Sequence, residues 1–259
     1  MQVNYILYYT CISLIFIIIF TIFRKQISKY INLIDSPNKS KIHERPTPLI
    51  GSFAIFFLYI FIFFNEKIFN NNFTIDALII LIIATGSFMV GLIDDKVNLS
   101  YKKKFLILIP LIYVSILFSE NLIIYTYNFQ GFEKKFIINN VYFASFLTTL
   151  FILLLINSIN LIDGINGLAL GILTIWLGYL IFFLNTDLIN IYFPILICAL
   201  ITFFFIYHGF YFLGDSGSLF LSSLIGLLFL NSYNVNINLT ESIFIEEIFI
   251  LFMLPGFDM

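Results

Sequence analysis

Four short stretches of the 259-residue chain hold most of the residue types that could do chemistry. The first, "GLIDDK" (residues 91–96), sets Asp94 beside Asp95 at the end of an apolar run. Adjacent carboxylates repel unless a cation neutralises them. Hard oxygen ligands open to water suit Mg²⁺, which keeps several waters and shares its shell with phosphate. The same pair also reads as a charged helix end that only marks a membrane boundary. The second, "NSINLIDGINGLALG" (157–171), repeats Asn157, Asn160 and Asp163 every third residue, roughly along one helical stripe. Gly164 and Gly167 then let backbone approach a ligand closely; a polar helix–helix seam is the alternative. The third, "FLGDSGSLFLSS" (212–223), places Asp215 between Gly214 and Gly217 just before another apolar run. A glycine-flanked turn feeding a helix presents backbone N–H groups suited to an anion. The fourth, "LIDSPNKSKIHERPTPLIGS" (33–52), is a connector with three prolines, in which Lys39, Lys41, His43 and Arg45 offer positive charge to phosphates. Those cations also serve simply to set topology near a membrane surface.

Other signals carry less. "GDSGS" resembles the nucleophile region of chymotrypsin-like proteases, but it lies between apolar spans, where a β-barrel protease does not. Cys11 and Cys198 are both in apolar runs, so neither a disulfide framework nor a zinc site is indicated. His208, beside Gly209 at a span end, is given an interfacial role only.

The elements that must position these stretches are membrane helices. Hydrophobic residues make up 61% of the chain and charged ones 11%, against roughly half and about a quarter in a soluble domain. Continuous apolar runs near 5–23, 49–64, 76–93, 105–122, 141–158, 168–184, 191–207, 218–231 and 243–256 predict an all-α, polytopic membrane bundle of about nine spans in a single domain over 1–259. Continuous rather than alternating runs argue against a transmembrane β-barrel. Residues 5–23 lack the basic start and small-residue cleavage site of a signal peptide and read as the first span.

Ten of the thirteen Lys and Arg fall in 24–48 and 94–104, which lie on one side in this span count. The positive-inside rule makes that side cytoplasmic and the amino terminus external. Asp94, Asp95, Asp163, Asp215 and Asp258 then all face the cytoplasm, at inner helix ends. The segments 65–75, 119–140, 185–190 and 232–242 fall outside and read as connections without motif.

The ordered succession "D-x-P-N…H-x-x-P-T-P-L-x-G", "G-L-I-D-D", "N-x-x-N-x-x-D-G-x-x-G-L-A" and "F-L-G-D-x-G-S" resembles the polyprenyl-phosphate N-acetylhexosamine-1-phosphate transferases, from about residue 33 to the end. That family includes phospho-N-acetylmuramoyl-pentapeptide transferase and the undecaprenyl-phosphate N-acetylglucosamine-1-phosphate transferases. The resemblance implies an enzyme of the bacterial inner membrane with its active site on the cytoplasmic side. It would take a UDP-N-acetylhexosamine and undecaprenyl phosphate, release UMP and begin peptidoglycan, O-antigen or teichoic acid assembly. It implies Mg²⁺, with Mn²⁺ as a substitute; the bilayer as partner; a homodimer as a form met in the family; and no nucleic acid. By the same resemblance Asp94 and Asp95 are the acidic pair of the metal and lipid-phosphate site, with Asp163 joining them as a catalytic carboxylate. Asp215 is the metal-coordinating aspartate. Asn157, Asn160, Gly164 and Asn166, with Lys41, His43 and Arg45, bind substrate.

Four departures mark this chain. Asn166 stands where many members have aspartate, Ser52 replaces the second glycine of "PLxGG", and "FIYHGFY" lacks the Pro and Lys often found there. The chain stops at "LPGFDM", where the family enters a further cytoplasmic loop, so a fragment or a truncated product is expected. Two other classes stay open at this level. A non-catalytic membrane subunit derived from such an enzyme is one. The other is a transporter, whose acids would belong nearer the bilayer midplane.

Overall fold

The computed structural model describes residues 2–36, 45–70, 74–129, 135–183, 189–236 and 244–253. Its helices are α1 (Gln2–Ile22), α2 (Arg24–Tyr30), α3 (Phe53–Asn70), α4 (Ile75–Val97), α5 (Tyr101–Ile116), α6 (Val141–Ile162), α7 (Leu168–Phe183), α8 (Ile189–Tyr207), α9 (Gly214–Asn236) and α10 (Ile245–Met253). Each segment expected to span the membrane holds one of these helices; α2, a short basic helix after the first span, is the addition. Among the described residues four helices are long and apolar enough to cross a bilayer by themselves: Tyr5–Ile22, Ile75–Val97, Val141–Ile162 and Gly214–Val235. The protein is an all-α, multi-pass membrane protein.

The chain divides into two compact units. The first comprises Met1–Asn72, Gly91–Asn98 and Asp163–Ser218. Here α8 packs on α1, α3 and α7, and α1 packs on α3. Aromatic side chains fill the α1–α3 seam, with Phe20 stacked on Phe57 at 5.5 Å and Phe16 edge-on to Phe61 at 6.3 Å. One polar link crosses it: the Tyr9 hydroxyl donates to Glu66 Oε1 at 2.9 Å, where both side chains are buried. A two-residue antiparallel ladder joins β1 (Ile34–Asp35) to β2 (Thr47–Pro48), pairing Ile34 with Pro48 and Asp35 with Thr47.

The second unit comprises Phe73–Val90, Leu99–Ile162 and Leu219–Met259. In it α5 and α10 pack on α6. Gly86 of α4 lies against Leu111 of α5, Phe88 meets Phe220 of α9 edge-on at 5.9 Å, and Gly226 of α9 admits Leu155 and Ile152 of α6. Small residues let membrane helices approach closely, and dispersion then does the work that hydrophobicity cannot do in lipid. Several hydroxyls within these helices are satisfied locally: Thr148 donates to the Ala144 carbonyl, Thr149 to Ser145 and Ser223 to Phe220.

The segment expected to be mere connection, 119–140, is instead tied down where it is described. Ser119 and Asn121 donate to Asp76, Asn234 donates to the carbonyls of Asn121 and Ile123, and Tyr233 donates to the Thr126 carbonyl. A small ladder, β3 (Thr126–Tyr127) with β4 (Phe136–Ile137), completes it. Isolated polar residues in a loop leave no periodic trace in a sequence.

Helix ends near the chemistry have defined stops. Asn98, at φ 51°, closes α4 with its N–H on the Asp94 carbonyl at 2.8 Å, an arrangement asparagine tolerates better than most residues. Gly209, at φ 70°, ends α8 with its N–H on the Ile206 carbonyl at 2.9 Å.

The Tyr9–Glu66 link yields a test. Tyr9→Phe removes a buried hydrogen bond to a carboxylate and should lower stability by about 1–3 kcal/mol. Thermal unfolding in detergent reads it, and an unchanged midpoint would show that the link adds nothing.

Candidate active site

The site is built around the first turn of α9. A helix begins with N–H groups that have no intrahelical partner, and near a bilayer water does not reliably supply one. Here Asp95 Oδ1 accepts from the Asp215 N–H at 2.8 Å and Asp95 Oδ2 accepts from the Ser216 N–H at 3.0 Å. The Ser216 hydroxyl also reaches Asp95 and lies 3.3 Å from the Ser52 hydroxyl. Either hydroxyl can donate in the Ser52–Ser216 contact. Ser52, a departure from the family pattern, thus has a partner in the "GDSGS" stretch.

Backbone contacts extend the same junction. Phe212 N–H donates to the Pro48 carbonyl at 2.8 Å, and Gly51 N–H donates to the Phe212 carbonyl at 2.9 Å. A Cβ on Gly91 would collide with the backbone of Asp215 and Ser216, and one on Gly217 would lie 2.8 Å from Ser52 Cβ. Three of the four sequence stretches therefore meet at atomic contact: "PTPLIGS", "GLIDD" and "FLGDSGS".

The remaining stretch, "NSINLIDGINGLALG", splits between the units. Asp163 follows α6 in a turn of the first unit, with Gly164, Ile165 and Asn166 exposed beside it. The turn closes through Gly167 at φ 82°, whose place against the Phe203 ring leaves little room for a side chain. Burial pushes the Asp163 carboxyl well above the usual carboxylate range, and the negative charges of Asp215 and Asp95 push it further. Asp95, Asp163 and Asp215 therefore share one electrostatic environment, and Asp94, 4% exposed, adjoins it through the chain.

Asn157 and Asn160 belong to the second unit, on α6. They line a cavity of about 260 Å³ with Tyr101, Lys104 and Leu108 of α5 and Ile156 of α6. Its walls are mostly apolar, with a lysine and two amides as polar groups. In the sequence Lys104 is one of three consecutive lysines, and nothing in that run distinguishes it. Arg45 is exposed, and its carbonyl accepts from the Thr47 hydroxyl at 3.0 Å. Lys41, His43 and Asp258 lie outside the described residues.

Among the described residues, no three His, Cys, Asp or Glu side chains are grouped so as to hold a metal by themselves. The donors here are hard carboxylate oxygens carrying mutual repulsion. That combination fits Mg²⁺, which binds through one or two carboxylates and completes its shell with water and phosphate, and does not fit a closed zinc cage.

The glycosyl transferase family 4 model matches residues 77–233, which carry "GLIDD", "NxxNxxDG" and "FLGDSGS". The chain belongs to glycosyl transferase family 4. Among its relatives, a probable undecaprenyl-phosphate N-acetylglucosaminyl 1-phosphate transferase of Bacillus subtilis (strain 168) is 30% identical over 226 residues, covering 84% of this chain and 60% of that protein. The undecaprenyl-phosphate alpha-N-acetylglucosaminyl 1-phosphate transferase of Escherichia coli (strain K12) is 25% identical over 214 residues, covering 79% and 56%. A phospho-N-acetylmuramoyl-pentapeptide-transferase of Petrotoga mobilis is 30% identical over 281 residues, covering 97% and 83%. The chain spans 60% and 56% of the length of the first two.

The close approach at Gly91 of this family 4 chain is testable. Gly91→Ala should cost about 1–3 kcal/mol through overpacking and lower the unfolding midpoint of the purified protein. A variant as stable as the parent would show that the last turns of α4 do not press on α9.

Proposed function

We propose that this chain carries the site of a membrane transferase that moves N-acetylhexosamine 1-phosphate from a UDP-sugar to undecaprenyl phosphate at the cytoplasmic face of the bacterial inner membrane. The observation that carries the reading is the gathering of Asp95, Asp163 and Asp215 around the start of α9 in a family 4 chain. The names of the relatives supply the phospho-sugar and the undecaprenyl phosphate. The reading also takes the basic segments 24–48 and 94–104 as cytoplasmic, with the amino terminus outside.

In the proposed reaction an ionised oxygen of the lipid phosphate attacks the sugar-bearing β-phosphorus. The bond from that phosphorus to the bridging oxygen breaks, and UMP leaves with the electron pair. The lipid phosphate is already largely ionised at neutral pH, so no strong base is required. Phosphoryl transfer of this kind depends on positioning and charge neutralisation more than on covalent help. Asp215 and Asp94 would hold Mg²⁺, whose contribution is to neutralise phosphate charge and orient the diphosphate. Asp163, within electrostatic reach of Asp215, tunes the charge of the site, and Gly164 leaves backbone open to the nucleotide. Taken by itself, the α5–α6 cavity of the second unit has the chemistry of an isoprenyl-phosphate pocket, with mostly apolar walls and Lys104, Asn157 and Asn160 as polar groups.

The acids stand at helix ends. Asp95 is in the last turn of α4, Asp215 in the first turn of α9 and Asp163 in the turn after α6. That placement supports a site where a soluble nucleotide and a lipid phosphate meet, and it weighs against a transporter whose acids interrupt helices at mid-membrane.

Membranes containing the chain, given radiolabelled UDP-GlcNAc and undecaprenyl phosphate, should yield lipid-linked label and UMP in equal amounts, and chelation of Mg²⁺ should stop both. Asp215→Asn should reduce turnover about 100-fold or more. Lys104→Ala should raise the KM for the lipid about 10-fold while leaving that for the nucleotide nearly unchanged, the loss expected of one charge-assisted bond. No transfer from any of several UDP-N-acetylhexosamines would refute the reading.

A further inference from the structure

We infer that Asp95 is a positioning residue: from α4 it caps the N-terminus of α9 and so fixes Asp215 in register, leaving metal contact to other carboxylates. Helices usually carry their own cap, a Ser, Thr, Asp or Asn just before the first turn. Leu213 and Gly214 occupy that place in α9 and offer no side-chain acceptor. The acceptor comes instead from a helix distant in sequence, with one carboxylate oxygen on each of two successive N–H groups. A carboxylate accepting at the positive end of a helix makes stronger bonds than a neutral acceptor does.

The surroundings are shaped for this contact. Gly214 has φ 76°, and a Cβ there would lie 2.9 Å from Asp95 Oδ2. Gly91, one helical turn before Asp95, lets α4 come within backbone contact of Asp215 and Ser216. The Ser216 hydroxyl adds a third donor to the same carboxylate. Oxygens committed to three donors are poorly placed to meet the near-octahedral demand of Mg²⁺ as well. Asp94 and Asp95, although adjacent, project about 100° apart around the helix and can serve different partners. The inference takes from the proposed function only the metal role of Asp215.

The test is thermal unfolding of the purified protein in detergent with and without Mg²⁺, which needs no turnover. Without metal, Asp95→Ala should lower the midpoint by about 3 °C or more and Asp95→Asn, which keeps one acceptor oxygen, by less. Asp95→Asn should keep the rise in midpoint that Mg²⁺ gives the parent, whereas Asp215→Asn should lose that rise with little change in its metal-free midpoint. In the transfer assay Asp95→Asn should lose about 10- to 100-fold in kcat, as displacement of a catalytic group does, without raising the Mg²⁺ concentration for half-maximal rate. Should Asp95→Asn not fold, Asp95→Ser, with a neutral acceptor, takes its place. The inference is overturned if Asp95→Asn keeps the parent's metal-free midpoint and loses the Mg²⁺ response. If the parent itself shows no Mg²⁺ response, the metal in the proposed function fails. The cap is then judged by the metal-free midpoints alone, and an unchanged Asp95→Ala overturns it.

Discussion

The start of α9 must have partners for its first N–H groups, and at a membrane boundary the protein has to provide them. Asp95 does so, and several otherwise unrelated details of the sequence answer to that one contact. Glycine at 91 permits the approach of α4, glycine at 214 clears the carboxylate, and serines at 52 and 216 link the connector before α3 to the same turn. Each would look like an ordinary small residue if taken alone.

From that contact the charge of the site follows. Holding Asp95 against α9 places its negative charge near Asp215, and the turn after α6 adds Asp163. Three carboxylates in one environment resist ionising together unless a cation or a positive ligand group arrives. An assembly that is electrostatically incomplete by itself is what the proposed reaction, with its diphosphate and divalent ion, would call for. Such a site belongs at helix ends, where backbone N–H groups are available and one substrate can come from water and the other from lipid.

Much of the fold was legible from composition, because twenty-residue apolar runs leave few alternatives to helices. The basic segment 94–104 reads as a connection between two runs, and the structure starts α5 at Tyr101, inside it. The acids stand out in the sequence because the span count puts Asp94, Asp95, Asp163 and Asp215 on one side. What escaped was everything that depends on contacts between distant segments. Asp95 and Asp94 are indistinguishable as letters, yet one is bound to the α9 backbone and the other is nearly inaccessible. Lys104 is one of three consecutive lysines, and only the α5–α6 cavity singles it out. Ser52 read as a lapse from a glycine pattern, while the structure gives it a partner 164 positions away. The hydrogen bonds of Asp76, Tyr233 and Asn234 were invisible for the same reason.

The most direct measurement of the central claim is a disulfide across the junction. Ser52 and Ser216 present hydroxyl oxygens 3.3 Å apart, and cysteines facing one another at such a spacing come within reach of the geometry a disulfide needs. With Cys11 and Cys198 replaced, the Ser52→Cys/Ser216→Cys protein, oxidised in native membranes, is predicted to lose both free thiols and to show a single linked peptide by mass spectrometry. Two thiols that remain open to alkylation in a folded protein would mean that the connector before α3 and the start of α9 do not meet, and the site built on their meeting would not exist.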